Sequence, residues 1–269
     1  MKIIQNILTK NPCYKSGKKI EVKGLMLHSV GCPQPDANTF IRSWNKSSYK
    51  NACVHGFIDG NSGVIYQTLP WNHRGWHCGG TGNNTHIGIE MCEPSSICYI
   101  SGSRFICSNE AEAKAIAKRT YDSAVELFAY LCKKYNLNPL GDGVILSHRE
   151  GYQRKIATNH GDPEHLWIGL KMDYSMDGFR KAVWTSLNKE NNIFKDNKKK
   201  NTEEYLVKIK IPNLNIRSGA GTNYSKTGKY TGKGTFTIIS ESEGKGASKW
   251  GKLKSGAGWI SLDYAEKIS

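Results

Sequence analysis

Long apolar runs are missing from this chain of 269 residues: nothing approaches the roughly 20 consecutive apolar residues that a spanning helix needs. A mean hydropathy of -0.54, with 38% hydrophobic residues, excludes an integral membrane protein while leaving enough apolar material for a core. The amino terminus, MKIIQNILTKNPCYK, breaks its apolar stretch at Gln5, Asn6 and Lys10 and so lacks the h-region of a secretory signal. The expectation is a protein made in the cytosol without a Sec-type signal and not inserted into a membrane. CxxC pairs are also absent, although the chain has eight cysteines, all between Cys13 and Cys132. In a reducing compartment these read as buried thiols. Cys92, Cys98 and Cys107 lie near one another but fit no common zinc spacing. Nor is there an acidic excess. The formal charge is +15 and the pI near 9.4, which favours a polyanionic partner: nucleic acid, an acidic membrane face, or a wall bearing teichoic acid phosphates. The lysines are scattered and no nucleic-acid motif occurs, so nucleic acid is not the expected partner.

Composition divides what is present into three parts. Residues 188–204, NKENNIFKDNKKKNTEE, hold only two large apolar side chains, Ile193 and Phe194, and read as a charged, solvated linker. Residues 1–187 read as alternating strands and helices. GLMLHSV (24–30) is a buried strand, and 34–46 a helix with apolar Phe40, Ile41 and Trp44. ACVHGFIDG and GVIYQTL form a hairpin, and HIGIEMCE and DGVILSH are further strands. Segment 109–135 is a helix with an Asn109–Glu112 capping pair and one apolar stripe; residues 176–187 form a closing helix. The fold class is therefore α/β, a mixed central sheet flanked by helices. Residues 205–269, with short β-rich runs between recurrent glycines, predict a small all-β barrel.

Three histidines, His28, His55 and His148, stand at strand ends, and Asp162 follows in a Gly-Asp-Pro turn within ATNHGDPEHLW. A catalytic zinc takes three protein ligands and leaves a fourth position open, and two imidazoles with one carboxylate meet that need. Taken alone, a strand-end histidine is more often packed or hydrogen-bonded than catalytic. Glu90 sits in IGIEMCE, where Ile87, Ile89 and Met91 alternate with small or polar neighbours, so its carboxylate points away from the apolar face. A carboxylate there can act as general base on water, or pair with a lysine at the surface.

Taken together, MLHSVG, VHGFID…GVIYQTLPW…GWHCGG, THIGIEMCE and SHREGYQRKIATNHGDPEHLW, in this order over residues 20–187, resemble one family. It is the zinc-dependent N-acetylmuramoyl-L-alanine amidase family, which includes the peptidoglycan recognition proteins. The plan is similar to a cell-wall lytic enzyme of a Gram-positive bacterium or its phage, of clostridial type. The resemblance implies Zn2+ held by His28, His148 and Asp162, with Glu90 as the catalytic glutamate. It puts His160 where relatives carry an oxyanion-stabilising Lys or Thr, and Val54 where some carry a Tyr. His55 and His77 are implied as packing or substrate contacts, with Trp76 beside them, and His165 as structural. LNIRSGAGTNYSKTGKYTGKGTFTIIS…WGKLKSGAGWISLDYAEKI resembles a bacterial SH3-type domain, implying a cell-wall-binding role for residues 205–269. Tyr224, Trp250, Trp259 and Tyr264 offer stacking faces, two or more of them serving the core. The partner implied is peptidoglycan in a Gram-positive wall, reached after release from the cytosol. Two other readings stay open: a peptidoglycan-binding protein that does not cut, and a cysteine peptidase using Cys78 or Cys92.

Overall fold

The computed structural model describes residues 1–200 and 204–268, and the chain divides into two compact units, Met1–Lys189 and Glu190–Ser269. In chain order the first unit carries β1 (Ile3–Gln5), α1 (Pro12–Ser16), β2 (Gly24–Ser29), α2 (Ala37–Trp44), β3 (Gly56–Ile58), β4 (Ile65–Gln67) and β5 (His86–Met91). Next come β6 (Ile97–Ser101), β7 (Arg104–Cys107), α3 (Glu110–Tyr135), β8 (Ile145–Ser147), α4 (His148–Gln153), α5 (Glu164–Gly169) and α6 (Met176–Lys200), the last running past the unit's end at Lys189. Six strands form one sheet in the order β1-β4-β3-β5-β2-β8, parallel except for the antiparallel β3–β4 pair.

The sheet's centre explains its sequence. All six residues of β2, GLMLHS, are buried, as a strand with parallel neighbours and covered faces must be. Leu25 and Leu27 join Ile87, Ile89 and Met91 of β5 in the main core, against Ala113, Ala117, Ala124, Leu127 and Phe128 of α3. Met26 faces the other way, with Cys78 and Leu146. The two-residue period therefore turns His28 and Glu90 away from the main core, and the pairing sets them side by side. Strand β8 runs parallel to β2 and hands over to α4 at His148. Carboxyl ends of parallel strands are where open α/β sheets form their crevices, and His28, Glu90 and His148 all stand there.

Helix α3 begins where Asn109 accepts the Glu112 N–H at 3.1 Å and ends at Asn136, left-handed with φ 52°. Its inner face meets Phe179 of α6, whose ring crosses that of Phe128 at 5.1 Å. Helix α6 also occupies most of the stretch expected as a linker, running through Lys200; residues 201–203 lie outside the described residues. The stretch holds neither Gly nor Pro, so nothing in it stops a helix once the closing helix has begun. The hairpin β6–β7, turned by Gly102-Ser103 with Gly102 at φ 53°, had no counterpart in the sequence reading.

The second unit is all-β. Its strands are β9 (Tyr205–Ile209), β10 (Asn215–Arg217), β11 (Lys226–Tyr230), β12 (Gly234–Gly244), β13 (Ala247–Leu253), β14 (Trp259–Ser261) and β15 (Ala265–Lys267). They form one sheet ordered β11-β10-β14-β13-β12-β9-β15 around Val207, Ile209, Ile216, Ile238, Leu253 and Ile260. The expected barrel does not close by hydrogen bonds among the described residues: β11 and β15 are the two edges, and every residue of β11 is exposed. Among the described residues no helix is long and apolar enough to cross a membrane.

Candidate metal centre

His28, His148 and Asp162 converge at the carboxyl end of the sheet, one ligand atom from each lying within 4.8 Å of the others. All three are buried. Nδ1 of His28 is 3.1 Å from Asp162 Oδ2, and Nδ1 of His148 is 3.4 Å from Asp162 Oδ1. Burial pushes the Asp162 carboxyl up, but the two imidazoles beside it outweigh burial and hold it well below the ordinary carboxylate range.

The His148 position is pinned from three directions. Ser147 and Glu150 form a reciprocal capping box at the start of α4. Both terminal nitrogens of Arg180 donate to the Glu150 carboxylate at 2.9 Å, and the Ser147 hydroxyl donates to Glu164 at 2.7 Å. On the far side of the ring, Nε2 lies 3.4 Å from Oγ1 of Thr158, whose own proton goes to the Cys78 carbonyl at 3.2 Å. Thr158 thus holds the outer edge of the His148 ring, whose Nδ1 faces Asp162. Two imidazole nitrogens and one carboxylate turned toward one point suit a borderline metal such as zinc.

A cavity of about 890 Å³ opens over this cluster, and Glu90, Tyr99 and His160 line it. Glu90 Oε2 is buried and finds no hydrogen-bond partner among the described residues; burial, then the charges of Asp162 and Glu93, push its carboxyl well above the usual range. His160 is exposed at the cavity mouth and stacks on His148 with ring centroids 4.4 Å apart and planes 9° from parallel. A group missed in the sequence lies in the same wall. Glu93, fully buried, accepts from the Tyr99 hydroxyl at 2.7 Å and from the Gly31 N–H at 3.1 Å. Tyr99 also meets His165 Nε2 at 2.6 Å, so His165 supports the cavity wall. A second Glu three residues after Glu90 was the signal available.

Other expected contacts fall elsewhere. His55 is fully buried, donates from Nε2 to the His73 carbonyl at 2.8 Å and accepts the Gly88 N–H on Nδ1 at 3.0 Å, which leaves it no free ring nitrogen for substrate. His77 is the exception: buried beside His28, it lines the cavity. Trp76 is 51% exposed with Arg74 over its ring, and it is not part of the cavity lining. In the second unit Trp250 is 3% exposed and its Nε1 donates to the Gly244 carbonyl, so it is core rather than a stacking face. Tyr224 and Tyr264 are exposed and Trp259 is half-buried. Cys78 and Cys92 are buried, and burial pushes both thiols up, which withholds the thiolate that a cysteine nucleophile requires.

Comparison with known proteins follows this geometry. The sequence profile of the family described as N-acetylmuramoyl-L-alanine amidase matches residues 18–165, more than half of the chain. Bifunctional autolysins of Staphylococcus aureus are 28% identical over 141 residues, 52% of this chain, and the match spans 10% of their own length. Among solved structures, the S. aureus hydrolase AmiA, determined with its ligand, aligns at a TM-score of 0.54 with 21% identity over 71% of this chain and 86% of that one. A mutant endolysin from Bacillus subtilis aligns at 0.46 with 22% identity over 68% of this chain and 99% of that one. The AmiA likeness bears on the fold of the first unit.

The Glu93 environment has a measurable consequence. Burial raises its carboxyl from the ordinary 4.5 to about 7. The folded protein thus holds this proton to higher pH than the unfolded chain does. The stability it contributes is fully present below about 4.5 and lost as the pH rises through about 7. Between pH 4.5 and 7.5 the wild type should lose about 3 kcal/mol relative to Glu93→Gln in urea unfolding. An unchanged difference between the two pH values would contradict it.

Proposed function

Because the chain belongs to the N-acetylmuramoyl-L-alanine amidase family, we propose that it hydrolyses the amide joining the lactyl group of N-acetylmuramic acid to L-alanine of the peptidoglycan stem peptide. The observation that carries this reading is the convergence of His28, His148 and Asp162 at the sheet edge with Glu90 paired beside His28. These three residues would hold zinc, which when bound polarises the scissile carbonyl and makes water easier to deprotonate. Glu90 takes the proton from the attacking water on its unpartnered Oε2, and its raised pKa suits a group that passes that proton on to the departing amine. His160, at the mouth and stacked on His148, donates to the oxygen as negative charge develops there. Tyr99, held by Glu93 and His165, keeps that wall of the cleft in place.

The second unit serves, on this proposal, as an SH3-type wall-binding module. Its support is the motif pattern, the all-β sheet, the exposed Tyr224 and Tyr264 with the half-buried Trp259, and a net charge of +8 on residues 188–269, from 16 basic and 8 acidic residues. Such a charge favours retention on an anionic wall. The protein then acts on the wall after release at lysis, as an endolysin or autolysin does.

Purified protein should expose new L-alanine amino termini on Gram-positive walls, lose that activity to a zinc chelator, and regain it with zinc. Release blind to chelator, or no release, would overturn the reading. His160→Ala should slow turnover about 10²–10³-fold while leaving zinc content unchanged; near-wild-type turnover would remove its role. Tyr224→Ala with Tyr264→Ala should sediment less with walls than the wild type, and equal sedimentation would count against the binding module.

A further inference from the structure

We propose that Cys13 and Cys53 form an intramolecular disulfide when the protein meets a low-molecular-weight disulfide oxidant, locking α1 onto the loop between α2 and β3. The pair lies outside the metal site, and its chemistry does not depend on the amidase reading. Only the occasion does, since release to a wall would carry the chain from a reducing to an oxidising setting.

One buried side chain brings the two positions together. Asn11 Oδ1 accepts the Cys13 N–H at 2.9 Å, while Asn11 Nδ2 donates to the carbonyls of Trp44 and Ala52 at 3.1 and 3.3 Å. Cys13 is therefore held across a single amide from the residue that precedes Cys53. Cys53 in turn exchanges two main-chain hydrogen bonds with Trp76, at 2.9 and 2.8 Å, which fix its backbone. Both cysteines pack into one apolar cluster with Leu8, Phe57 and Leu69. There the Cys53 S–H donates to the Cys13 sulfur. A disulfide requires two backbones that already lie close together, and this framework supplies them.

The other six cysteines lack these conditions. Cys98 and Cys107 share the β6–β7 hairpin, but Cys98 stands opposite Ile106 and Cys107 opposite Ile97, so their side chains leave opposite faces. Cys78 and Cys132 are buried. Burial, then the charges of Glu93 and Glu90, push the Cys32 thiol up to about 11, and burial above all pushes Cys92 well up, so both withhold the attacking thiolate. Cys13 differs. The hydrogen bond from Cys53, and with it the charge of Arg74, hold its thiol below the ordinary cysteine range although burial opposes them, and it is only half-buried, so an oxidant can reach it. The Cys13 thiolate attacks one sulfur of the oxidant and the other leaves as a thiolate. The Cys53 sulfur then attacks Cys13 and expels the second thiolate. The protein gives up two electrons and two thiol protons, and the oxidant's S–S bond ends as two thiols.

The test equilibrates the full chain in glutathione buffers from reducing to oxidising, quenches with an alkylating reagent, and maps the peptides by mass. The wild type should give a linked peptide pair joining Cys13 to Cys53 in the oxidising buffer and none in the reducing one. In Cys53→Ser, glutathione should remain on Cys13; in Cys13→Ser, buried Cys53 should remain a free thiol. Closing the loop from residue 13 to residue 53 restricts the unfolded chain, so the oxidised wild type should unfold at higher urea than the reduced one, a shift absent from Cys13→Ser. No linked pair in the most oxidising buffer, Cys13 joined to any other cysteine, or glutathione left on Cys13 of the wild type would each overturn the pairing. Equal urea midpoints for the oxidised and reduced wild type would overturn the lock. The wild-type map decides the pairing even where a serine variant fails to fold, and it reads no activity, so failure of the amidase reading would leave it standing.

Discussion

Two buried imidazoles turn their Nδ1 atoms toward the two oxygens of one carboxylate, at 3.1 and 3.4 Å. Each of these polar groups is costly to bury away from water. Much of the first unit can be read as the means of holding them there. The outer nitrogens are both engaged, His28 by His77 and His148 by Thr158, so neither ring can turn without losing a buried partner. A cation held among the three would offset that cost, and the same arrangement sets up chemistry at a carbonyl drawn to it.

The fold supplies the rigidity this needs. Strand β2 is buried along its whole length between parallel neighbours, with Leu25 and Leu27 anchored in the main core one residue before His28. His148 stands at a strand-to-helix junction fastened by a capping box and by Arg180, which reaches over from α6. Asp162 comes from a loop rather than a strand, and the Arg149 N–H, donating to its carbonyl oxygen at 3.4 Å, ties that loop back to α4. Sites built on strands and helix starts are held more closely than sites on loops alone. The acidic wall of Glu90 and Glu93 adds carboxyls whose protons are held chiefly by burial, with the charge of Asp162 adding to it.

Much of this was legible from residues. The period-two alternation in HIGIEM put Glu90 opposite Ile87, Ile89 and Met91, and the structure has the same separation of faces. The α3 stripe and its Asn109 cap were equally plain. The convergence of His28 with Asp162 was not, because 134 residues separate them and spacing holds no distance information of that kind; it came through resemblance. The roles of His55 and His77 were hidden for another reason. A histidine's function depends on which nitrogen is protonated, and that is set by carbonyls and amides that leave no trace in residue type. Trp250 looked available for stacking and is core, since a β-rich pattern does not say which face of a small sheet is covered. The linker resolved into helix through Lys200 because charge-rich composition and helix propensity are compatible.

X-ray absorption at the zinc edge on the zinc-loaded protein tests the central claim most directly. The account predicts one shell of nitrogen and oxygen at about 2.0–2.2 Å, with imidazole scattering from two histidines and no sulfur. A sulfur shell near about 2.3 Å, which any of the eight cysteines could supply, or a shell of oxygen alone, would contradict it.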